Sequence, residues 1–112
     1  MRVIVSFEDA VWPSLTAWRR SLSDDPDIRK ALATAYIDEF KARIVRAGGR
    51  LSDAVTDRTK DPPWCWCELT GGTWLAYTIE TSGRYFARQR VIRVWEAGSG
   101  PSRPAPPATP PS

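Results

Sequence analysis

The chain has 112 residues, 42% of them hydrophobic and 26% charged, a size and balance that suit one small domain, and no apolar run approaches the length of a membrane-spanning helix. Histidine is absent, which removes every mechanism that needs an imidazole base, a serine triad or a histidine metal ligand. The net charge of +3 is unevenly placed: residues 1–63 carry 11 Lys/Arg against 10 Asp/Glu, whereas residues 64–112 carry five arginines against three glutamates. Arginine's planar fork suits phosphate and carboxylate, so this bias points to nucleic acid or an acidic protein as partner.

Arg2-Val3-Ile4-Val5-Ser6-Phe7 alternates with the period of a short strand, Val3, Val5 and Phe7 sharing one face. The opening lacks the basic start, apolar core and cleavage site of a secretory leader, so a cytoplasmic location is the expectation. Val11, Leu15, Trp18 and Leu22 then follow helical spacing, with Pro13 tolerable near a first turn, and predict a helix from residue 9 or 13 to residue 22. Ser23-Asp24-Asp25-Pro26 supplies cap chemistry for a second helix, with Ile28, Leu32, Ala35, Tyr36, Phe40, Ile44 and Val45 as its apolar stripe and Gly48-Gly49 as its end.

Residues 50–63 are polar and close on two prolines, which reads as a loop with room for a short turn of helix. Loops of that length inside a small domain are often functional, which makes Arg50, Arg58 and Lys60 candidate binding residues. After Pro63 the chain becomes rich in aromatic and β-branched residues, broken at Gly71-Gly72 and Ser82-Gly83, and predicts a three-stranded antiparallel meander. In its middle strand Leu75, Tyr77 and Ile79 should face the helices. Strict alternation in the last run would group Arg88 and Arg90 with Ile92 and Val94, so a bulge or break near Arg88-Gln89 is expected to leave both arginines exposed. Trp64, Trp66, Trp74 and Trp95 read as core and cross-strand packing in preference to a base-stacking platform.

Cys65 and Cys67 stand at i and i+2, poorly placed for a disulfide, and no third cysteine or histidine completes a zinc site. They read as small strand residues. From Gly98 the chain reads GSGPSRPAPPATPPS, six prolines in fifteen residues, and is expected to be a disordered or polyproline-like tail that extends a folded unit of residues 1–97. The overall expectation is an α+β fold, a small β-α-α-β-β-β domain in which two helices pack on one face of an antiparallel meander.

With its opening RVIVSFEDA, a long second helix ending in RIVRAGG, and GGTWLAYTIE followed by RVIRVWEA, the chain resembles the RelE/ParE superfamily of bacterial toxin proteins over about residues 2–96. The resemblance implies a toxin of a type II toxin–antitoxin pair, silenced by an acidic antitoxin protein and needing no metal or small-molecule cofactor. Some members of that superfamily are metal-independent endoribonucleases acting on mRNA at the ribosome, and others bind DNA gyrase. Tyr77 fits the tyrosine of the RNA-cleaving members, but Trp74 stands where their arginine would be, and Trp95-Glu96-Ala97 replaces their Gly-His-Arg segment. On the cleaving reading Arg88 and Arg90 are the candidate catalytic residues, with Arg84 and Arg93 joining Arg50, Arg58 and Lys60 in binding the nucleic acid or partner. A non-catalytic module on the same fold, holding an acidic protein or nucleic acid, is the alternative.

Overall fold

The computed structural model describes residues 2–49, 51, 54–59, 62–69, 72–83 and 88–100. Among them, two helices and a five-stranded mixed sheet form an α+β fold. Strand β1 spans Arg2–Phe7, a single 3-10 turn covers Asp9–Val11, and helix α1 (Trp12–Leu22) and helix α2 (Pro26–Arg46) follow. Four further strands complete the sheet: β2 (Val55–Asp57), β3 (Trp64–Glu68), β4 (Thr73–Ser82) and β5 (Gln89–Ser99), in the spatial order β1-β5-β4-β3-β2. Strands β2 to β5 pair antiparallel in succession, whereas β1 lies parallel to β5. No helix is long and apolar enough to cross a membrane among the described residues.

Local chemistry explains both helices. Pro13 sits in the first turn of α1, where its missing N–H costs no hydrogen bond, and Leu15 and Trp18 are buried one turn apart. For α2, the Asp25 carboxylate accepts from the backbone N–H of Asp27 at 2.9 Å and of Ile28 at 3.3 Å, and Pro26 occupies the first helical position. Gly48 and Gly49 end it in left-handed conformations, at φ +65° and +92°, which residues with a Cβ adopt poorly. The stripe that α2 buries is rotated from the expected one. Ala33, Phe40 and Ile44 are buried, with Tyr36 and Ile37 packed beside them, while Ile28 and Val45 are 52% and 54% exposed. Apolar content alone had placed Ile28 and Val45 inward, but their angular positions fall outside the contact with α1 and the sheet.

The helices cover one face of the sheet. Val3, Val5 and Phe7 of β1, Leu75 and Tyr77 of β4, and Ile92, Val94 and Ala97 of β5 meet Leu15, Trp18, Phe40 and Ile44 in the main core. Burial of this kind contributes about 1.5–3 kcal/mol per large apolar side chain, the dominant favourable term in such a domain. The opposite face carries its own cluster, Trp66, Trp74 and Ala76 with Val55 and Trp64 against it, and no residue of α1 or α2 belongs to that cluster.

Three expectations are corrected. The 50–63 segment contains strand β2, not a turn of helix, because the free edge of β3 offers backbone partners to Val55, Thr56 and Asp57. Second, β5 pairs without interruption from Gln89 to Val94, and its irregularity falls later: Tyr77 faces Val94 while Ala76 faces Glu96, so Trp95 is the extra residue. Ile92 and Val94 are buried and Arg88 is exposed, as expected, but Arg90 keeps the inward parity of Ile92 and is half-buried. Third, β5 runs on to Ser99, with Gly98 opposite Trp74 and Ser99 opposite Thr73. Residues 101–112 of the expected tail lie outside the described residues.

Gly98 is held by a close approach. A Cβ built there would lie 2.8 Å from Trp74 Cε2 and nearer still to Cζ2. The Gly98→Ala substitution is therefore expected to lower stability by about 1–3 kcal/mol, through displacement of the indole, and to read as a lower denaturation midpoint. Removing the α2 cap with Asp25→Ala is expected to cost about 1 kcal/mol in the same measurement.

Candidate functional site

Among the described residues, a cleft of about 370 Å³ opens on the helix-covered side of the sheet, lined on its floor by Cys65, Tyr77, Ile79 and Thr81. Alternation along β3 and β4 delivers these four to one face. The walls come from the segment after α2. Once Gly48-Gly49 has turned the chain, Leu51 and Ala54 fold over the sheet, and Thr56, Arg58 and Pro63 complete the lining.

Arg58 is positioned by its neighbours. Asp57 is 8% exposed, and its Oδ1 accepts from the Thr59 backbone N–H at 2.9 Å and from the Thr59 hydroxyl at 2.6 Å. This Asp-centred turn directs the intervening Arg58 outward, an exposed cation at the cleft wall. Tyr77 is 1% exposed and its ring packs on Phe40 at 5.6 Å between centroids, so the floor is anchored to α2.

The thiol in the floor is not a nucleophile at rest. Burial pushes the Cys65 thiol up from its ordinary range, and hydrogen bonding with Thr56 and Tyr77 only partly opposes that effect. The Thr56 Oγ1 to Cys65 Sγ separation is 3.7 Å. Cys67 is buried as well, with Arg43 Nη1 at 3.5 Å from its sulfur, and neither cysteine is in a disulfide. Among the described residues that line the cleft there is no carboxylate.

Among the described residues, the candidate arginines of the β5 segment point in different directions. Arg88 is exposed ahead of β5, and its carbonyl accepts from the Arg2 N–H at 3.3 Å. Arg90, expected to be exposed, points to the helix side, where its Nη1 donates to the Gly48 carbonyl at the end of α2. A cation there complements the helix dipole and gives the carbonyl of the turn just past the helix a charged donor. Its cross-strand neighbour Thr81 lines the cleft, which sets Arg90 beside the cleft in a structural role. Arg93 points to the other face, where it donates to Glu8 Oε1 at 2.7 Å and Glu80 Oε2 at 3.0 Å. The Glu8 hydrogen bond, then that of Glu80, hold its guanidinium more firmly charged. Arg50, Lys60 and Arg84 lie outside the described residues.

The structure therefore brings one sequence candidate, Arg58, together with Tyr77, which was expected to face the helices. Sequence reasoning missed Thr56, Ile79 and Thr81 as lining residues. Alternation on β4 places Ile79 and Thr81 with Tyr77, but no sequence signal showed that the helices stop short of them.

Replacing Arg90 by alanine is expected to destabilise the domain by about 1–2 kcal/mol, since it strips the Gly48 carbonyl of its charged donor, whereas Arg88→Ala is expected to change stability by less than about 0.5 kcal/mol. Chemical denaturation of the two variants side by side distinguishes them. Alkylation of Cys65 by iodoacetamide is expected to be slow near neutral pH in the folded protein and fast after unfolding. Because the folded thiol favours its neutral form, the folded-state rate should keep climbing with pH beyond the point at which the rate of the unfolded thiol levels off, read by mass spectrometry of the labelled peptide. Compared with family models, with curated proteins and with solved structures, the chain matches none.

Proposed function

We propose that the chain is the toxin-type member of a toxin–antitoxin pair on a RelE/ParE-like fold, and that it acts by holding a macromolecular partner rather than by cutting RNA. The element order supports the fold part of this reading: a strand, two helices on one face, and then successive antiparallel strands of which the last returns to pair with the first. Strand β2 is an addition to the six elements that the resemblance implies. The C-terminal excess of arginine supports an acidic partner.

One observation carries the non-cleaving mode: of the candidate catalytic pair Arg88 and Arg90, Arg90 is committed to the α2 terminus, and the binding candidate Arg93 is committed to Glu8 and Glu80. A group that stabilises a transferring phosphate must be free to meet charge as it develops. Among its described residues the cleft contains a floor with apolar side chains, a neutral thiol and one exposed cation, Arg58, a set that suits an acidic residue flanked by apolar ones better than it suits bond cleavage. The second reading, a metal-independent endoribonuclease, keeps Arg88 and Tyr77 as its agents.

Induction of the chain alone in a bacterial host tests the proposal. The expected result is growth arrest with transcripts intact, relieved by Arg58→Ala without loss of the folded protein. Arrest with cleaved transcripts favours the endoribonuclease. Unimpaired growth with the protein folded and abundant overturns the toxin reading and leaves a binding module.

A further inference from the structure

A groove of about 300 Å³ lies between the two helices and shares no lining residue with the cleft. One stripe of α2 forms its long wall: Pro26, then Arg29 and Lys30, then Ala33 and Thr34 follow at helical spacings of three and four, which stacks them along a single side. Arg19, from the last turn of α1, completes the lining from the other helix. The apolar part of the lining is only a proline and the buried Ala33, so the groove is small-walled and its chemistry is set by its charged residues.

Three of the six lining residues are cations, and among the described residues none of the three forms an ion pair. Arg29 is preorganised. It is half-buried, its Nε donates to the Ser23 carbonyl at 3.0 Å, and its Nη2 lies 3.5 Å from the Asp24 carbonyl, so the turn between the helices fixes the guanidinium and leaves Nη1 uncommitted. Arg19 and Lys30 are exposed and can close on a ligand from both helices. Like charges around one small groove repel one another, and an anion placed between them removes that repulsion. The α2 terminus itself offers no amides here, because the Asp25 carboxylate already accepts from Asp27 and Ile28.

The charge count selects the anion. A single arginine fork satisfies a carboxylate, whereas two guanidinium groups, an ammonium and the Thr34 hydroxyl match the charge and the several oxygens of a phosphate group. Size and surroundings select a compact one: Asp24, Asp25 and Asp27 stand exposed at the turn that opens α2, and a long polyanion crossing there would meet three carboxylates. We infer that the groove between α1 and α2 is a binding site for a phosphate group, as the free ion or as the phosphomonoester of a small molecule, held by Arg19, Arg29, Lys30 and Thr34. The assignment does not rest on the toxin reading, because it uses neither the cleft nor the arginines of β5.

The test titrates the full chain at constant ionic strength with inorganic phosphate, glycerol 3-phosphate and acetate, followed through backbone amide and arginine Nε–H signals in NMR. Both phosphates are expected to move the signals of Arg19, Arg29, Lys30 and Thr34 saturably, and acetate is expected to bind at least about tenfold more weakly. The double variant Arg19→Gln, Lys30→Gln removes two exposed cations that no contact of the fold uses, and it is expected to weaken phosphate binding at least about tenfold with an unchanged thermal transition. Tighter binding of glycerol 3-phosphate than of the free ion assigns the site to an organic phosphate, and equal affinity assigns it to the ion. Absence of saturable shifts with either phosphate overturns the proposal, as does an affinity that acetate equals or that the double variant leaves unchanged. Oligouridine RNA is the last arm: binding tighter than that of either phosphate, with shifts spread along both helices, overturns the compact site in favour of a nucleic-acid surface.

Discussion

Strand β5 has to keep Ile92, Val94 and Ala97 on the helix-covered face, and a regular strand cannot do so because the last interval is three residues rather than two. The extra residue at Trp95 resolves the mismatch by facing no partner of its own on β4. Everything on either side follows from its position. Upstream, unbroken alternation carries Arg90 inward to the end of α2 and Arg93 outward to Glu8 and Glu80. Downstream, Gly98 comes under Trp74, and the Ala97 N–H meets the Ser14 hydroxyl of α1 at 3.1 Å.

The same constraint separates the two faces in chemistry. The inward face is aliphatic apart from Phe7, Tyr77 and two thiols, and it is covered by α1 and α2. The cleft opens where Leu51 and Ala54 cover Cys65, Tyr77, Ile79 and Thr81. Arg58, the exposed cation among its described residues, is held by a local turn rather than by the sheet, so its placement does not depend on the register of β5. The outward face is tryptophan-rich, with a salt bridge near β1 and the stacked Trp64–Trp95 pair nearer β3. A cluster of this kind outside the main core is expensive to leave facing water, since each indole carries a large apolar area and an N–H that must be satisfied.

Much of the fold was legible because it depends on local chemistry. The alternation of β1 and β4, the Asp25-Pro26 cap and the Gly48-Gly49 stop act within a few residues, and the elements they imply are the elements observed. The short β2 was not legible, since three residues carry no periodicity and form a strand only because β3 has a free edge. The site was legible in part. Arg58 was marked by charge and loop position and Tyr77 by alternation, but Arg90 was misplaced because exposure was inferred from charge, and the bulge that decides its direction lies four to five residues later.

By itself, then, the sequence determined composition-level exclusions, helix ends and which residues of a strand share a side. All of these are set by bonds and spacings within one element. The tertiary structure alone decided which side becomes the core, where β5 takes its extra residue, and which arginines remain free to meet a partner. Those outcomes depend on how distant elements share one sheet, and a charge becomes structural only when a neighbour such as Gly48 or Glu8 arrives across it.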